Sequence, residues 1–255
     1  MRTTAILNLK GGVAKTATTV NMAAILAANY HKRVLVVDAD SQCNTTEFFG
    51  GAGTCSTFAD MLRREDVNCC IRAGSFPDVD LLPADDSLMD LDLSKVEDNK
   101  VDVACLRRHL QTGVETGIYD YVLIDCPPAF NAASAAALLA ADDVIIPIKL
   151  DAFSLRGMAN LMRQIKNMQK INPRLRLAGL LPTMTYRSAS IQEATAALQA
   201  SGLPAFPPIR RTPKVDDMTF AQEPLIKSSP KSAACIDYRR FVKVYVEGGE
   251  RNGRI

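Results

Sequence analysis

The chain has 255 residues, of which 47% are hydrophobic, 23% charged and 6% aromatic. Those proportions exclude wholesale disorder, collagen and coiled coil, and a chain of this length buries about three quarters of its unfolded surface, so it needs no covalent staple. The net charge of +2 is too small to indicate a nucleic-acid partner by itself, but it hides a division: residues 205–255 carry ten Lys and Arg against six Asp and Glu, and the remainder is slightly acidic.

Five short runs rich in β-branched residues and Leu predict strands: Thr3–Leu9, Arg33–Asp38, Tyr119–Asp125, Asp143–Ile148 and Leu175–Pro182. Val79–Leu82 is a weaker sixth. Their nearly continuous apolar character is that of strands buried on both faces. Between them lie helical segments: Lys15–Asn29, Ala132–Ala141, Ser154–Lys170 with Ser154 as N-cap, and Ser188–Ala200 ending at Ser201-Gly202. The charged stretch 85–108 reads as one or two solvated helices. In the last helix, Ala234, Tyr238, Phe241 and Tyr245 share one face. Arg239, Arg240 and Lys243 fall on the other side, and Lys231 lies near the edge of the apolar stripe. The alternation of strand and helix predicts an α/β fold: a three-layer, doubly wound, mostly parallel sheet with right-handed crossovers. With no long linker and no repeat, residues 1–255 read as a single domain with a basic C-terminal helical segment over about 229–247.

The apolar run before the first glycine pair is too short for a signal-peptide core. The longest apolar stretch, Ala132–Ala141, falls well short of the roughly 20 residues that span a bilayer. Seven cysteines (43, 55, 69, 70, 105, 126 and 235) are an odd count with no CxxC pair and read as reduced thiols. His31 and His109 are too few and too scattered for a zinc site. The expectation is a soluble cytoplasmic protein.

The strongest chemical signal is Lys10-Gly11-Gly12-Val13-Ala14-Lys15-Thr16, which follows a strand and opens a helix. Glycines let the backbone turn tightly so that N–H groups point inward around phosphate oxygens. The helix that begins at Lys15 aims its positive end at the same anion. Lys15 is placed to neutralise the β and γ oxygens, and Thr16 to offer a hydroxyl to Mg²⁺. The ordinary phosphate-loop pattern is modified: Leu9 and Ala14 stand where it has glycine, and Lys10 adds a second lysine.

KGGVAKT resembles the deviant phosphate loop of the ParA/Soj/MinD family of P-loop ATPases. The resemblance implies the P-loop NTPase (SIMIBI-type) fold, ATP and Mg²⁺ as cofactors, and phosphate contacts from Lys10 through Ala17. It implies that Lys10 reaches the partner's nucleotide in an ATP-sandwiched homodimer, stabilising charge on the transferred phosphoryl group. Asp38-Ala39-Asp40-Ser41-Gln42-Cys43-Asn44 resembles the family's switch I segment, with Ser41 in place of proline. By that match Asp40 orients the attacking water, and Asp38 supports Mg²⁺ through water. Val122–Asp125 is an apolar strand ending in an acid, the pattern of a carboxylate that holds Mg²⁺ through water. Cys126-Pro127-Pro128 resembles switch II, with Cys126 inert.

Further along, Ile145–Ile148 with Asp151–Gly157 resembles the family segment that packs at the dimer face. Gly179–Met184 resembles the strand end near the adenine, implicating Thr183 and Met184. Ile209–Asp217 resembles a nucleotide-contacting segment, implicating Arg210 and Thr212, although proline stands at 213 and not at 210. The basic excess at Arg211, Lys214, Lys227, Lys231, Arg239, Arg240 and Lys243 suggests a surface for DNA phosphates, bound without sequence preference and weakening with salt.

The reading that follows is a bacterial, nucleoid-associated ATPase for DNA partitioning, stimulated by a DNA-bound partner of the ParB/Spo0J type. One alternative, a MinD-like membrane-positioning ATPase, requires an amphipathic terminal helix. The end of this chain, broken at Gly248-Gly249, offers no useful apolar stripe. The other alternative is another enzyme or regulator on the same fold: a kinase of this family would have a tyrosine-rich tail, and an iron–sulfur ATPase a metal cluster.

Overall fold

The computed structural model describes residues 1–50, 56–63, 71–97, 100–112 and 117–252. Strands β1 (Arg2–Ile6), β2 (Val34–Asp38), β3 (Arg72–Ala73), β4 (Val79–Leu82), β5 (Tyr121–Asp125), β6 (Asp143–Lys149) and β7 (Arg176–Thr183) form one sheet in the order β3-β4-β2-β5-β1-β6-β7. All pairings are parallel except that of the edge strand β3, which runs antiparallel to β4. The helices are α1 (Lys15–Tyr30), α2 (Asn44–Phe48), α3 (Phe58–Arg63), α4 (Leu93–Glu97), α5 (Cys105–Thr112), α6 (Ala132–Ala140), α7 (Ala152–Ile171), α8 (Ala189–Ala200), α9 (Lys214–Ala221), α10 (Leu225–Ser228) and α11 (Ala233–Asn252), with a 3₁₀ turn over Asp86–Asp90.

The apolar strands are buried on both faces because helices cover both. On one face α3, α5 and α6 pack around Val122, Ile124, Val144 and Ile146. On the other, α1 and α11 pack around Ile6, Val34, Val36 and Leu123. The helix α6 is buried all round, consistent with its Ala-rich sequence, and begins where the Asn131 Oδ1 accepts the Ser134 N–H at 3.0 Å. Tyr238, Phe241 and Tyr245 of α11 are buried on a single face, as their spacing predicts.

Several predicted boundaries move. The first strand stops at Ile6, not Leu9. The Asn8 side chain donates to the Pro147 carbonyl at 2.7 Å and accepts the Lys10 N–H at 2.9 Å, which turns the chain out of the sheet. The seventh helix begins at Ala152, which leaves Ser154 inside its first turn. Stretch 85–108 is not simply solvated, since Leu88, Leu91, Val101 and Leu106 enter the core beneath their charged neighbours. The glycines at 248 and 249 do not end the last helix, which continues to Asn252. The roughly 1 kcal/mol that each glycine costs is outweighed by a helix already docked along its Tyr238–Tyr245 face. Residues 55, 69 and 70, three of the seven cysteine positions, lie outside the described residues, as do 253–255 of the terminal segment. Among the described residues no helix is long and apolar enough to cross a membrane.

Candidate functional site

Strands β1 and β2 both pair with β5, so their C-terminal ends converge. Ile6 is the register partner of Asp125, and Asp38 is its partner on the other side. The sheet reverses its winding here, and open α/β sheets bind ligands at such a crevice. The loop from Leu7 to Ala14 rises from β1 over these carboxylates and delivers the chain into α1.

Two loop residues adopt left-handed backbone, Gly12 at φ 68° and Ala14 at φ 66°. Glycine takes that region freely, but alanine is strained there. The loop therefore keeps the phosphate-cradling shape despite the substitution at 14, at a local cost of about 1–2 kcal/mol. A Cβ built at Gly11 or Gly12 would meet nothing within 4 Å, so open space stands over the loop. Lys15 is buried, and its Nζ donates to the Lys10 carbonyl at 3.4 Å. The Thr183 Oγ1 donates to the Val13 carbonyl at 3.1 Å and ties the end of β7 to the loop.

Below the loop, one oxygen of Asp125, Oδ2, accepts from the hydroxyls of Thr16 at 2.7 Å and Thr45 at 2.6 Å. The other, Oδ1, is buried without a hydrogen-bond partner among the described residues. An unpartnered buried carboxylate oxygen beside a threonine hydroxyl is a donor set of hard oxygens, which fits Mg²⁺. No cluster of three metal-ligating side chains occurs among the described residues. A cation here would draw its other ligands from water and phosphate, as Mg²⁺ commonly does.

Asp38 and Asp125 both have raised pKa values. Burial is the main cause for each, and for Asp38 the charge of Asp125 comes next. Asp125 is pulled partly back by its two threonine hydrogen bonds and by Lys15. Desolvation and mutual repulsion thus favour a cation between P-loop and strand ends.

Asp38 is tied to the switch segment by three hydrogen bonds. Its Oδ2 accepts the N–H and hydroxyl of Thr46 at 2.8 and 2.7 Å, and its Oδ1 accepts the Asp40 N–H at 3.1 Å. Both oxygens help hold the switch segment, and Oδ1 accepts a single donor. Asp40 is half-buried, with Oδ1 accepting the Gln42 N–H at 3.1 Å. The adjacent threonines of α2 thus serve two carboxylates, Thr45 binding Asp125 and Thr46 binding Asp38. Sequence reasoning missed both; their position just past the acidic pair was the available signal. The Thr46 Oγ1 also accepts the Ala84 N–H at 2.8 Å, linking the switch to the end of β4.

Lys10 leans away from the loop centre to an ion pair with Asp151, at 2.8 and 3.0 Å to its two oxygens. Both side chains are partly exposed, at 37% and 27%. Such a partly exposed pair by itself is worth about 0–1 kcal/mol. Cys126 is fully buried, and its thiol pKa is pushed up by burial and by Asp125. Its Sγ lies 3.7 Å from the Ile124 carbonyl.

A cavity of about 300 Å³ opens beside the loop at Ala14. Thr183, Met184, Arg210 and Thr212 all line it, so the four residues expected near a base are brought together. Lys149 and Tyr186 join them, as does Asp216 of the Ile209–Asp217 segment. Arg210 lines the cavity, but its guanidinium is forked onto Asp237 at 2.7 and 2.8 Å, so it is anchored to α11.

The basic residues are spread over α9, α10 and α11, the turns between them and the segment just before α9. Arg211, Lys214, Lys227, Lys231, Arg240 and Lys243 are exposed, and Arg239 is half-buried, donating to the Pro230 carbonyl at 3.0 Å. Lys231 sits in the turn before α11, not on its apolar edge. Lys214, Lys227 and Lys243 pair with Asp217, Glu223 and Glu247 at 2.8, 2.6 and 3.7 Å. These are exposed pairs that a phosphate can replace.

A strand–loop–helix phosphate cradle over converging acidic strand ends defines a P-loop nucleoside-triphosphate-binding protein. A family model described as an AAA domain matches residues 1–177. The chromosome partitioning protein ParA of Caulobacter vibrioides is 38% identical over 205 residues, covering 77% of this chain and 74% of that one. The chromosome-partitioning ATPase Soj of Thermus thermophilus is 32% identical over 250 residues, covering 95% and 94%. The structure of cobyrinic acid a,c-diamide synthase from Mycobacterium smegmatis, with a bound ATP analogue and magnesium, matches with a TM-score of 0.84 at 28% identity, over 99% of this chain and 96% of that one. The chain belongs to the ParA/Soj family of P-loop ATPases.

Proposed function

We propose that this chain is a single-unit, ATP-dependent DNA-partitioning ATPase with ATP and Mg²⁺ as cofactors. The observation that supports the reading is the placing of Lys15 and Thr16 at the buried Asp125 carboxylate, whose Oδ1 has no hydrogen-bond partner among the described residues. Lys15 and the loop N–H groups bind the phosphates. Thr16 and Asp125 would hold Mg²⁺, which would supply neutralisation of phosphate charge. Asp40 orients the attacking water with its free carboxylate oxygen, and Asp38 positions Asp40 through its N–H. Lys10 exchanges Asp151 for the phosphate of the partner subunit's nucleotide when two copies close over ATP. Thr183, Met184 and Thr212 form the wall of the base pocket, with Arg210 as a fixed strut.

In the closed dimer, Arg211, Lys214, Lys227, Lys231, Arg239, Arg240 and Lys243 from two copies make a phosphate-binding surface for DNA of any sequence, and a ParB-like protein bound to DNA stimulates hydrolysis. Such a protein works in the bacterial cytoplasm on the nucleoid.

DNA binding measured with ATP, ADP and no nucleotide, across a salt series and beside Lys15→Ala, tests this. Binding should require ATP, fall steeply with salt and vanish in the variant. Binding indifferent to both ATP and salt overturns the reading.

A further inference from the structure

We propose that a cavity at the opposite edge of the sheet binds a small organic monocarboxylate with a flat apolar body. The cavity is about 260 Å³ and lies at the N-terminal ends of β1, β6 and β7. Its charged residues are the first residues of three adjacent parallel strands: Arg2, Asp143 and Arg176. The parallel order of the sheet sets them about a strand length, roughly 15 Å, from the phosphate loop.

Two guanidiniums share one carboxylate here. Asp143 is buried, and it accepts from the Arg2 Nε and, at 3.2 Å, from the Arg176 Nε. Arg2 spends Nη1 on the Tyr245 carbonyl at 3.4 Å. The second terminal nitrogen of Arg2 and Nη1 of Arg176 meet no protein acceptor among the described residues. The lining therefore carries one net positive charge together with unspent guanidinium N–H donors, the groups that recognise a carboxylate. A single net charge favours a monoanion over a phosphate dianion.

The arginines are not free to collapse onto each other. The Arg2 guanidinium is stacked 4.0 Å over the Tyr245 ring, and the Tyr245 hydroxyl is fixed by Thr4 at 2.6 Å and by Asp143 at 3.2 Å. The rest of the wall is apolar and rigid. Phe206 packs edge-on against Phe241 at 4.9 Å, and its ring reaches so close to Gly179 that a Cβ there would lie 2.8 Å from it. Ala178 and Pro204 complete that side. At the rim stands Gly248 of α11, and a Cβ built on it meets nothing within 4 Å. A glycine inside a helix weakens it, and at this position its lack of a side chain keeps the cavity open. Guanidinium donors beside apolar and aromatic wall residues match a carboxylate on a planar body.

The test uses benzoate as probe, with benzamide as its uncharged isostere and inorganic phosphate as a second anion. Each is titrated calorimetrically into the full chain. Benzoate should bind saturably at one site, with benzamide and phosphate at least tenfold weaker. Arg176→Gln, at a half-exposed position, should weaken benzoate at least tenfold. Gly248→Leu should fill the cavity and abolish benzoate binding while ATP binding and melting temperature are kept or raised, so that loss of binding cannot come from misfolding. Absence of saturable benzoate binding overturns the proposal. So does benzamide or phosphate binding as tightly, or undiminished binding in either variant.

Discussion

Thr45→Val tests the wiring between the switch helix and the buried acid. Valine has nearly the volume of threonine, so the substitution removes the 2.6 Å hydrogen bond to Asp125 and little else. Thr45 is fully buried, so no solvent takes over the bond. Hydrogen bonds to charged groups contribute about 1.5–3 kcal/mol. Asp125 Oδ1 already lacks a partner, leaving only Thr16 on the carboxylate. The expected loss is about 2 kcal/mol at pH 8 without magnesium, or about 4–8 °C in melting temperature for a chain of this size. Urea denaturation followed by circular dichroism measures it.

The sign with pH is fixed. The Thr45 bond lowers the Asp125 pKa from a value that burial has raised. Its charge-assisted part is therefore present at high pH and lost as pH falls through the folded-state pKa, so the gap between variant and wild type narrows from pH 8 toward pH 5. In an Asp125→Asn background the same substitution should cost about 1 kcal/mol less. A loss under about 0.5 kcal/mol, or an equal loss in both backgrounds, refutes the wiring.

Asp40→Ala should trap an ATP-bound dimer, and a sizing column showing only monomer with ATP counts against the role given to Asp40. Cys126 should resist iodoacetamide at pH 7.5 in the native protein and react only on unfolding, because burial and Asp125 both disfavour its thiolate; labelling at the rate of a free thiol would be the contrary result. Gly179→Ala should destabilise by about 1–3 kcal/mol in denaturant, since the new Cβ would lie 2.8 Å from the Phe206 ring and 3.2 Å from the Pro204 carbonyl. Unchanged stability would mean that the Phe206 wall yields.

The sequence by itself determined the features that depend on near neighbours. Lys10–Thr16 announces a phosphate loop because tight turn, helix start and cation sit within seven residues. Val122–Asp125 reads as a buried strand ending in an acid because strand burial makes an apolar run. The spacing of Tyr238, Phe241 and Tyr245 fixes their shared face because a helix repeats every 3.6 residues. Tertiary structure decided what joins residues far apart. Asp38 and Asp125 become register partners only because β5 inserts between β1 and β2. Thr45 reaches Asp125 across 80 positions, and Lys10 reaches Asp151 across 141. Asp38, expected from its sequence to support Mg²⁺ through water, also accepts from Thr46 and the Asp40 N–H, partners that only the fold brings to it.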